Sequence, residues 1–258
     1  MSDDLFINEL ARYPDVSINR IIETAYHYHR GSNTDHGQII AEEYDQLNEY
    51  IYKYWRMHQA KLNDSFCIVY PQNPGYFWRS INIIDWGCGQ GLGTLALIEF
   101  LNSKTHNLQI KQITLIDASE LALDRAEVLL QLICPQVSYK RVQSKLDEVT
   151  LDMIPQPESE INFHIFSNIL DIKSIDLDKL IRNFIPTLTG YNIVICVSPY
   201  IAEEYNYRLD YFSQSLKTIY KNNYKLLSER KCPKNENCKQ CKEYFGFCNK
   251  LFKTNNRM

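Results

Sequence analysis

The spacing of hydrophobic residues divides the chain into two regions. Residues 18–62 carry apolar positions at helical spacing and are rich in Tyr and His, and a polar, turn-forming stretch at 29–37 interrupts them. Two prolines and a glycine in residues 71–80 predict a loop. We therefore expect a helical N-terminal cap, residues 1–75, followed by a second domain, residues 76–258.

Short β-branched runs and helical stretches alternate in the second domain. The strands are predicted at residues 81–86, 112–117, 136–142, 161–167 and 191–198. Helices are predicted at residues 92–101, 119–132 and 208–221, and two last strands at 224–229 and 244–253. Because alternating strands and helices favour right-handed βαβ units, we expect an α/β fold with a mostly parallel sheet, helices on both faces and a final antiparallel hairpin at 224–253.

The segment IIDWGCGQGLG places a nearly bare backbone directly after the first predicted strand. Gly87, Gly89 and Gly91 carry no Cβ atom, so the chain can turn tightly and a ligand can approach it closely. The helix that begins near Leu92 adds free backbone N–H groups at the same place. In an open parallel sheet, ligands bind beyond the carboxyl ends of the strands, and this segment is therefore the predicted cofactor site.

The spacing of the glycines distinguishes two classes of cofactor. The dinucleotide pattern G-x-G-x-x-G, begun at Gly87, would need a glycine where Leu92 stands, which disfavours a nicotinamide-dependent oxidoreductase. The pattern D-x-G-x-G-x-G, begun at Asp85, resembles the first motif of the class I methyltransferases that use S-adenosylmethionine. The resemblance extends over residues 81–253 and implies a Rossmann-like sheet. It implies that the cofactor is held by Asp85, Gly87, Cys88, Gly89 and Gly91.

An acid at the end of the second predicted strand is a candidate ligand for the ribose of the cofactor. Asp117 follows Gly91 by 26 residues, and a carboxylate there can accept hydrogen bonds from both ribose hydroxyls. The alternative is that Asp117 only caps the next helix, a description that fits Ser119 equally well. After the third strand, Gln143 and Ser144 stand where this fold contacts adenine, and neither is assigned.

A polar residue after the fourth predicted strand is a further candidate. Asn168 could bond the methionine part of the cofactor, or it could simply end the strand. His164, within the same strand, is expected to be a core histidine whose hydrogen bonds are satisfied. The segment SNIL replaces the Asp/Asn-Pro-Pro-aromatic turn of enzymes that methylate exocyclic base amines. The sequence therefore names no catalytic residue.

Charge is distributed unevenly along the chain. From Lys217 to the C-terminus there are 11 Lys and Arg residues against 3 Asp and Glu residues, whereas the whole chain carries a net charge of −3. Such a tail is either a solvated surface or one that meets a polyanion, and RNA is the polyanion that we expect. No apolar run approaches the ~18 residues that a membrane-spanning helix requires, so no membrane association is expected.

Half of the eight cysteines crowd into the last 27 residues. Their spacing, C-x5-C-x2-C-x6-C, contains a close pair that brings two thiolates to one centre, and two more thiolates would complete a site for zinc or an iron–sulfur cluster. The alternative is free thiols in a β-hairpin. We expect a cytoplasmic protein, and clustered thiols in that reducing compartment indicate metal rather than disulfides. The four candidate metal ligands are Cys232, Cys238, Cys241 and Cys248.

The surroundings of these cysteines resemble a narrower group of proteins. The segment KCPKNENCKQCKEYFGFCNKLF has a Cys-Pro pair, a second cysteine after five residues and a Phe-Cys pair before the last strand. It resembles the methyltransferase-like family associated with the small ribosomal subunit of mitochondria and its bacterial relatives. This resemblance implies an iron–sulfur cluster, and ribosomal RNA or the small ribosomal subunit as a partner.

Three functions remain open at this point. The first is an S-adenosylmethionine-dependent methyltransferase whose acceptor is RNA or a ribosomal component. The second is a non-catalytic S-adenosylmethionine-binding factor that docks on ribosomal RNA, which the missing catalytic groups favour. The third is a small-molecule methyltransferase, which suits the acidic residues that precede the basic tail.

Overall fold

One mixed sheet of seven strands runs through the part of the chain that this computed structural model describes. The backbone is described for residues 3–34, 39–72, 75, 79–104, 108–154, 161–199, 203–232 and 247–256, and the side chains for residues 5–34, 39–71, 75, 79–104, 108–154, 161–198 and 207–229. The strands are β1 (Ser80–Trp86), β2 (Gln109–Asp117), β3 (Ser138–Gln143), β4 (Ile161–Ser167), β5 (Gly190–Pro199), β6 (Tyr224–Cys232) and β7 (Phe247–Asn256). Their order in the sheet is β3-β2-β1-β4-β5-β7-β6.

The sheet has a parallel part and an antiparallel edge. The strands β1 to β5 pair in parallel, whereas β7 pairs antiparallel with both β5 and β6. The predicted α/β sheet with a final antiparallel hairpin is therefore confirmed. Strand β3 begins two residues later than predicted, whereas residues 244–246, the predicted start of the last strand, lie outside the described residues. For β3 the reason is a turn after Pro135, in which the Val137 N–H donates to the Cys134 carbonyl at 3.2 Å.

The helices lie before and between the strands. They are α1 (Asp3–Leu10), α2 (Ile18–Tyr28), α3 (Tyr44–Gln72), α4 (Leu92–Asn102), α5 (Glu120–Ile133), α6 (Leu177–Phe184) and α7 (Glu203–Tyr220). The sequence analysis left the region after residue 62 without an element, but α3 continues to Gln72. The reason is that Leu62, Phe66 and Val69 keep the helical spacing and are all buried.

Helix α4 is buried on all sides. Nine of its eleven residues are buried, among them Leu95, Leu97 and Ile98. A helix that is apolar all round needs cover on more than one face. The sheet covers one face, and the N-terminal helices, above all α3, cover another, so that one apolar cluster includes residues such as Phe6 and Trp55 of the cap and Ile83 of β1.

Polar side chains also join the cap to the sheet. The fully buried Arg125 of α5 donates from Nη1 to Asn48 Oδ1 at 2.8 Å, and its guanidinium lies 4.4 Å from the ring centroid of Phe6. Gln90, between two glycines of the loop after β1, donates from Nε2 to the Leu47 carbonyl at 3.0 Å. The glycine loop is therefore held by α3 as well as by its own strand.

The cap and the sheet thus share buried contacts. The predicted domain boundary between residues 75 and 76 stays a prediction, because shared packing does not test whether either part folds alone. Among the described residues, no helix combines the length and the apolar character needed to cross a bilayer.

A row of buried polar side chains crosses the centre of the sheet. Trp86 Nε1 donates to His164 Nδ1 at 3.2 Å, and His164 Nε2 lies 3.1 Å from Asn192 Oδ1. The imidazole is thus neutral, with its hydrogen on Nε2, because Nδ1 accepts a bond. Burial lowers the pKa of His164 to about 4, although the bond to Asn192 opposes this effect. His164 is the satisfied core histidine that the sequence analysis expected.

The state of His164 predicts a dependence of stability on pH. Its pKa is about 4 in the folded chain and 6.5 in the unfolded chain, so between these values the unfolded chain binds more protons. The free energy of unfolding should fall on acidification through this window, by at most ~3 kcal/mol from this one group. Urea unfolding of the parent and of His164→Gln, from pH 7 down to 4.5, should show a shallower slope for the variant. Equal slopes would mean that His164 does not titrate in this way.

Candidate cofactor site

A cavity of about 330 Å³ opens at the carboxyl ends of β1 to β4, beneath the cap. It lies where the order of the strands reverses, since β2 lies on one side of β1 and β4 on the other. Small-molecule sites occupy roughly 300–1,000 Å³, so this cavity is of a size for one such ligand. Gly87, Gly89 and Asp117 line it from the sheet side, and Tyr50 and His58 of α3 line it from the cap side.

The glycine loop presents bare backbone to the cavity. Gly89 has φ +50°, which side chains other than glycine adopt rarely, and a Cβ atom there would meet no protein atom within 4 Å. Gly87 is needed for a different reason, because a Cβ atom there would lie 2.5 Å from Cγ1 of Ile169. The loop after β4 therefore packs directly against the loop after β1, and Gly89 is the position that leaves space for a ligand.

Asp117 ends β2 and lines the cavity. Its Oδ2 accepts the Gly89 N–H at 2.8 Å and its Oδ1 accepts the Ser119 N–H at 2.9 Å. Burial raises the pKa of this carboxyl, and the backbone N–H groups oppose that rise. The cap of α5 is Ser119, whose Oγ accepts the Ala122 N–H at 3.2 Å. Asp117 is thus free of the capping role and ties the glycine loop to β2.

Asp85 lies beneath the loop rather than in the cavity. Its side chain is buried, and Oδ2 accepts both the backbone N–H and the hydroxyl of Thr94, at 3.0 and 2.8 Å. It thereby caps α4, whose N-cap residue, Gly91, has no side chain to do so. Burial raises the pKa of Asp85 to about 7, against the effect of the two Thr94 bonds. Its Oδ1 has no hydrogen-bond partner among the described residues.

The remaining predicted cofactor residues of the first three strand ends also have definite positions. Cys88 is buried and lines the cavity, and burial raises the pKa of its thiol well above the ordinary value. Of the two residues left open after β3, Ser144 lines the cavity and Gln143 is exposed. Gly91 packs against Ala126 of α5, with 3.3 Å between the Ala126 Cβ and a Cβ placed on the glycine.

Asn168 directly follows β4 and lines the cavity. Its φ of +56° is in the left-handed region, and its backbone N–H donates to the Val197 carbonyl of β5 at 2.6 Å. Its Oδ1 accepts a hydrogen bond from Nζ of Lys61, a buried residue of α3, at 2.6 Å. The structure therefore brings the sequence-predicted Gly87, Gly89, Asp117 and Asn168 to one cavity.

The sequence analysis missed the residues that α3 contributes. Tyr50 Oη lies 3.4 Å from His58 Nδ1, and burial raises the pKa of the phenol and lowers that of the imidazole. Both side chains are therefore uncharged near neutral pH. Tyr50, His58 and Lys61 are spaced eight and three residues apart, which places them on one face of the helix. That spacing was the available signal, but it does not say which face meets the sheet.

The stretch AYHYHRG, residues 25–31, belongs to the Tyr- and His-rich region and does not line the cavity. His29 stacks on Tyr52, with 4.0 Å between the ring centroids, and Tyr26 lies 5.5 Å from both rings. None of the three lines the cavity. Aromatic packing within the cap accounts for the Tyr and His residues of this stretch.

The four candidate metal ligands lie in the part of the tail whose side chains are not described. Cys238 and Cys241 lie outside the described residues altogether. The backbones of Cys232 and Cys248 belong to β6 and β7, where Cys248 pairs with the neighbour of Cys232, Lys231. Among the described side chains, no group of three or more His, Cys, Asp and Glu residues is placed to hold a metal ion. The metal site stays a prediction.

Known structures share this arrangement of strands. An S-adenosylmethionine-dependent methyltransferase from Clostridium acetobutylicum matches with a TM-score of 0.51 and 13% identity, over 83% of this chain and 99% of that one. The chain has the class I methyltransferase fold. The plantazolicin methyltransferase BpumL, in complex with S-adenosylhomocysteine, matches 97% of this chain and 98% of its own, with 13% identity, at a TM-score of 0.49, which is too low for further comparison.

A third match to the methyltransferase fold is more distant. The N-methyltransferase NodS from Bradyrhizobium japonicum has a TM-score of 0.45 and 11% identity, over 78% of this chain and 97% of its own. No protein-family model and no curated protein sequence matches the chain. The similarity thus establishes the fold. The function of the site has to be inferred from the chain's own residues.

The bare loop predicts the outcome of one substitution. Gly89→Val should abolish binding of S-adenosylhomocysteine, because the branched side chain would project into the open space at this glycine. Gly31→Val is the matched control, since Gly31 also has a positive φ, +75°, and no atom within 4 Å of its Cβ position, but lies away from the cavity. Each variant should lose ~1–3 kcal/mol of stability to backbone strain. Calorimetric titration in which both variants bind equally well would contradict this role of Gly89.

Proposed function

We propose that the protein is an S-adenosylmethionine-dependent methyltransferase. The observation that supports it best is the convergence of an open, positive-φ glycine and an acidic residue on one cavity: the Gly89 N–H is bound by Asp117, and both line the space. A carboxylate at the end of β2 suits ribose hydroxyls, and the free N–H groups at the start of α4 suit a polar ligand. When bound, S-adenosylmethionine supplies an electrophilic methyl group.

The residues of this chain would bind and orient the cofactor and shield it from water. Asp117 would hold the ribose while it keeps the glycine loop in place, and Ser144 would approach the base. Asp85 would support the loop from below through Thr94 and α4. Asn168 would contact the methionine part. The cap would exclude water from the cavity, and orienting the reactants in this way can by itself account for several kcal/mol of the barrier.

The acceptor would approach the cavity from the side of α3. Tyr50 and His58 face that side and are both uncharged, so they would offer hydrogen bonds without a net charge. His58, as a neutral imidazole, has a lone pair that can accept a hydrogen from an N–H or O–H group of the acceptor. This is consistent with an acceptor whose nucleophilic atom is neutral when it binds.

For the acceptor we propose RNA or a ribosomal component, in the cytoplasm. The basic tail from Lys217 onward supports this proposal, since clustered cations bind polyanions. The resemblance to the ribosome-associated family has no support in the comparisons. A small-molecule acceptor and a non-catalytic binding factor are the alternatives. Transfer of a labelled methyl group from S-adenosylmethionine to the RNA or to the small-molecule fraction of a cell extract would decide among the three.

The ribose contact predicts a loss of cofactor affinity in a second variant. Asp117→Ala should weaken S-adenosylhomocysteine binding by about 1.5–3 kcal/mol, the scale of hydrogen bonds to a charged group. The 2′-deoxy analogue separates this contact from the bond to the glycine loop, because it lacks one hydroxyl. The parent should prefer S-adenosylhomocysteine to the analogue, and the variant should bind the two alike.

Ser119→Ala is the control for Asp117→Ala. It removes the cap of α5 and the 2.7 Å bond to the Ala41 carbonyl, but leaves the carboxylate. It should lower stability by ~1 kcal/mol and keep the preference for the ribose hydroxyl. A loss of less than about 0.5 kcal/mol in Asp117→Ala would show that the carboxylate does not hold the ribose. A parent that binds neither ligand would overturn the proposed function.

The tail yields a separate prediction. We propose that Cys232, Cys238, Cys241 and Cys248 bind one zinc ion or iron–sulfur cluster, which would order the turn of the β6–β7 hairpin, since metal ligation can supply folding free energy. The pairing of Cys248 with the residue next to Cys232 supports it. Replacing Cys238 and Cys241 by Ser should remove the metal and reduce RNA binding, while S-adenosylhomocysteine binding stays nearly unchanged.

Metal analysis and RNA titrations at two salt concentrations would check the tail. RNA affinity of the parent should fall steeply with added salt, because cationic side chains release counterions from the phosphates. A parent protein purified without oxygen that holds neither zinc nor iron would contradict the metal site. A double variant that binds RNA as tightly as the parent would contradict its coupling to RNA.

A further inference from the structure

A buried lysine lies at the methionine end of the proposed cofactor site. Lys61 is 1% exposed and reaches from α3 to the loop after β4, where its Nζ lies 2.6 Å from Asn168 Oδ1. Burying an ammonium group costs several kcal/mol unless hydrogen bonds and nearby opposite charges compensate. Lys61 does not line the cavity itself, but its partner Asn168 does, so the lysine can act on the cavity through that residue.

The lysine fixes which way the Asn168 amide faces. An ammonium group can only donate hydrogen bonds, so the atom that faces Lys61 has to be the carbonyl oxygen. The amide nitrogen then lies on the other side, where it donates one hydrogen to Ser167 Oγ at 2.9 Å. Its second hydrogen has no acceptor among the described residues, and Asn168 lines the cavity. Asn168 therefore presents a hydrogen-bond donor, and not an acceptor, to the cavity.

The backbone of Asn168 is held as firmly as its amide. Its φ of +56° is costly for a residue with a Cβ atom, although Asn tolerates this region better than most residues. The bond to the Val197 carbonyl on one side and the packing of Ile169 against Gly87 on the other maintain it. These contacts therefore fix the direction of the Asn168 side chain.

A donor beside a buried cation suits an anion. The methionine part of the cofactor carries an ammonium and a carboxylate group, and only the carboxylate accepts hydrogen bonds. From this geometry we propose that Lys61 and Asn168 together form the subsite for the carboxylate of the amino-acid part of the cofactor, with Asn168 in contact and Lys61 as the positioning residue. This inference rests on the proposed function and adds to it the orientation of the ligand.

The charges around Lys61 agree with this assignment. Burial raises the pKa of Asp171, and the nearby charge of Lys61 opposes that rise. Asp171 does not line the cavity, and its Oδ1 accepts the Ser198 hydroxyl at 3.0 Å. It balances the ammonium group from outside the ligand space. Burial and, to a smaller extent, the charge of Lys61 lower the pKa of His58, so its imidazole is neutral. Among the described residues, no carboxylate is hydrogen-bonded to the Asn168 side chain.

The test compares ligands that differ only in the amino-acid part. S-adenosylhomocysteine carries the carboxylate, S-adenosyl-3-thiopropylamine lacks it, and 5′-methylthioadenosine lacks the whole amino-acid part. The parent should prefer the first to the second by roughly tenfold or more, the value of a hydrogen bond to a charged group. Lys61→Met, which keeps the length and apolar stem of the side chain, should lose most of this preference and bind 5′-methylthioadenosine as the parent does.

Two substitutions at Asn168 make the test independent of Lys61. Asn168→Gly keeps the backbone conformation, because glycine adopts a positive φ without cost, and removes only the amide. Asn168→Asp keeps an oxygen for Lys61 but turns a second oxygen towards the ligand carboxylate. Both should lose the preference, and Asn168→Asp should lose more. If Lys61→Met does not fold, Asn168→Gly still decides the question.

Lys53→Met is the control for the loss of a charge from α3. Lys53 is on the same helix but pairs with Glu49 at 2.8 Å and is 41% exposed. It should leave the preference unchanged. A preference that survives in Asn168→Gly, or in a folded Lys61→Met, would overturn the carboxylate subsite and leave the proposed function intact. A parent that binds none of the three ligands would overturn both.

Discussion

The structure depends on one helix that has no polar face. Helix α4 follows the glycine loop and is buried along nearly its whole length, so it cannot be covered by the sheet alone. The N-terminal helices supply the second cover, and the apolar surface that this removes from water is the main force that holds the cap in place. Because α4 begins where the glycine loop ends, the cover for the helix is also the cover for the cavity. The cover over the cavity is therefore a consequence of core packing and not an addition to it.

Closing the cavity in this way traps polar groups away from water, and their properties change accordingly. Asp85 accepts two bonds from Thr94 and still has a pKa near 7, because burial outweighs those bonds. His58 and His164 become neutral for the same reason, one facing the cavity and the other within the sheet. Asp85 and His164 act on stability in opposite directions, since a raised acid pKa weakens the fold as pH rises and a lowered histidine pKa weakens it as pH falls. Two buried cations between the cap and the sheet, Lys61 and Arg125, donate hydrogen bonds to the amide oxygens of Asn168 and Asn48.

The features of this arrangement that could be predicted from the sequence are those that depend on neighbouring residues in the chain. Strand alternation and the positions of Gly87, Gly89 and Asp117 follow from hydrophobic period and backbone freedom, and the predicted sheet was confirmed. The contribution of α3 could not be read in the same way. Lys61 and Asn168 are 107 residues apart, and a lysine in a helix is expected on the solvent side until the packing is known. The role of Asp85 also depends on tertiary structure, because only the folded chain shows that its carboxylate accepts hydrogen bonds from Thr94 and does not line the cavity.

The link between the cap and the glycine loop has a consequence for ligand binding. Gln90 lies between Gly89 and Gly91 and is bound to the Leu47 carbonyl, so the loop is ordered in the presence of α3. Asn168, at the opposite wall, is bound to Lys61 of the same helix. Both ends of the proposed cofactor site are thus held by one element, α3. A ligand that binds only while α3 is docked must stabilise the docked state by its own binding free energy, in proportion to the logarithm of its concentration. Release of α3 from the sheet and loss of the ligand would then be thermodynamically coupled.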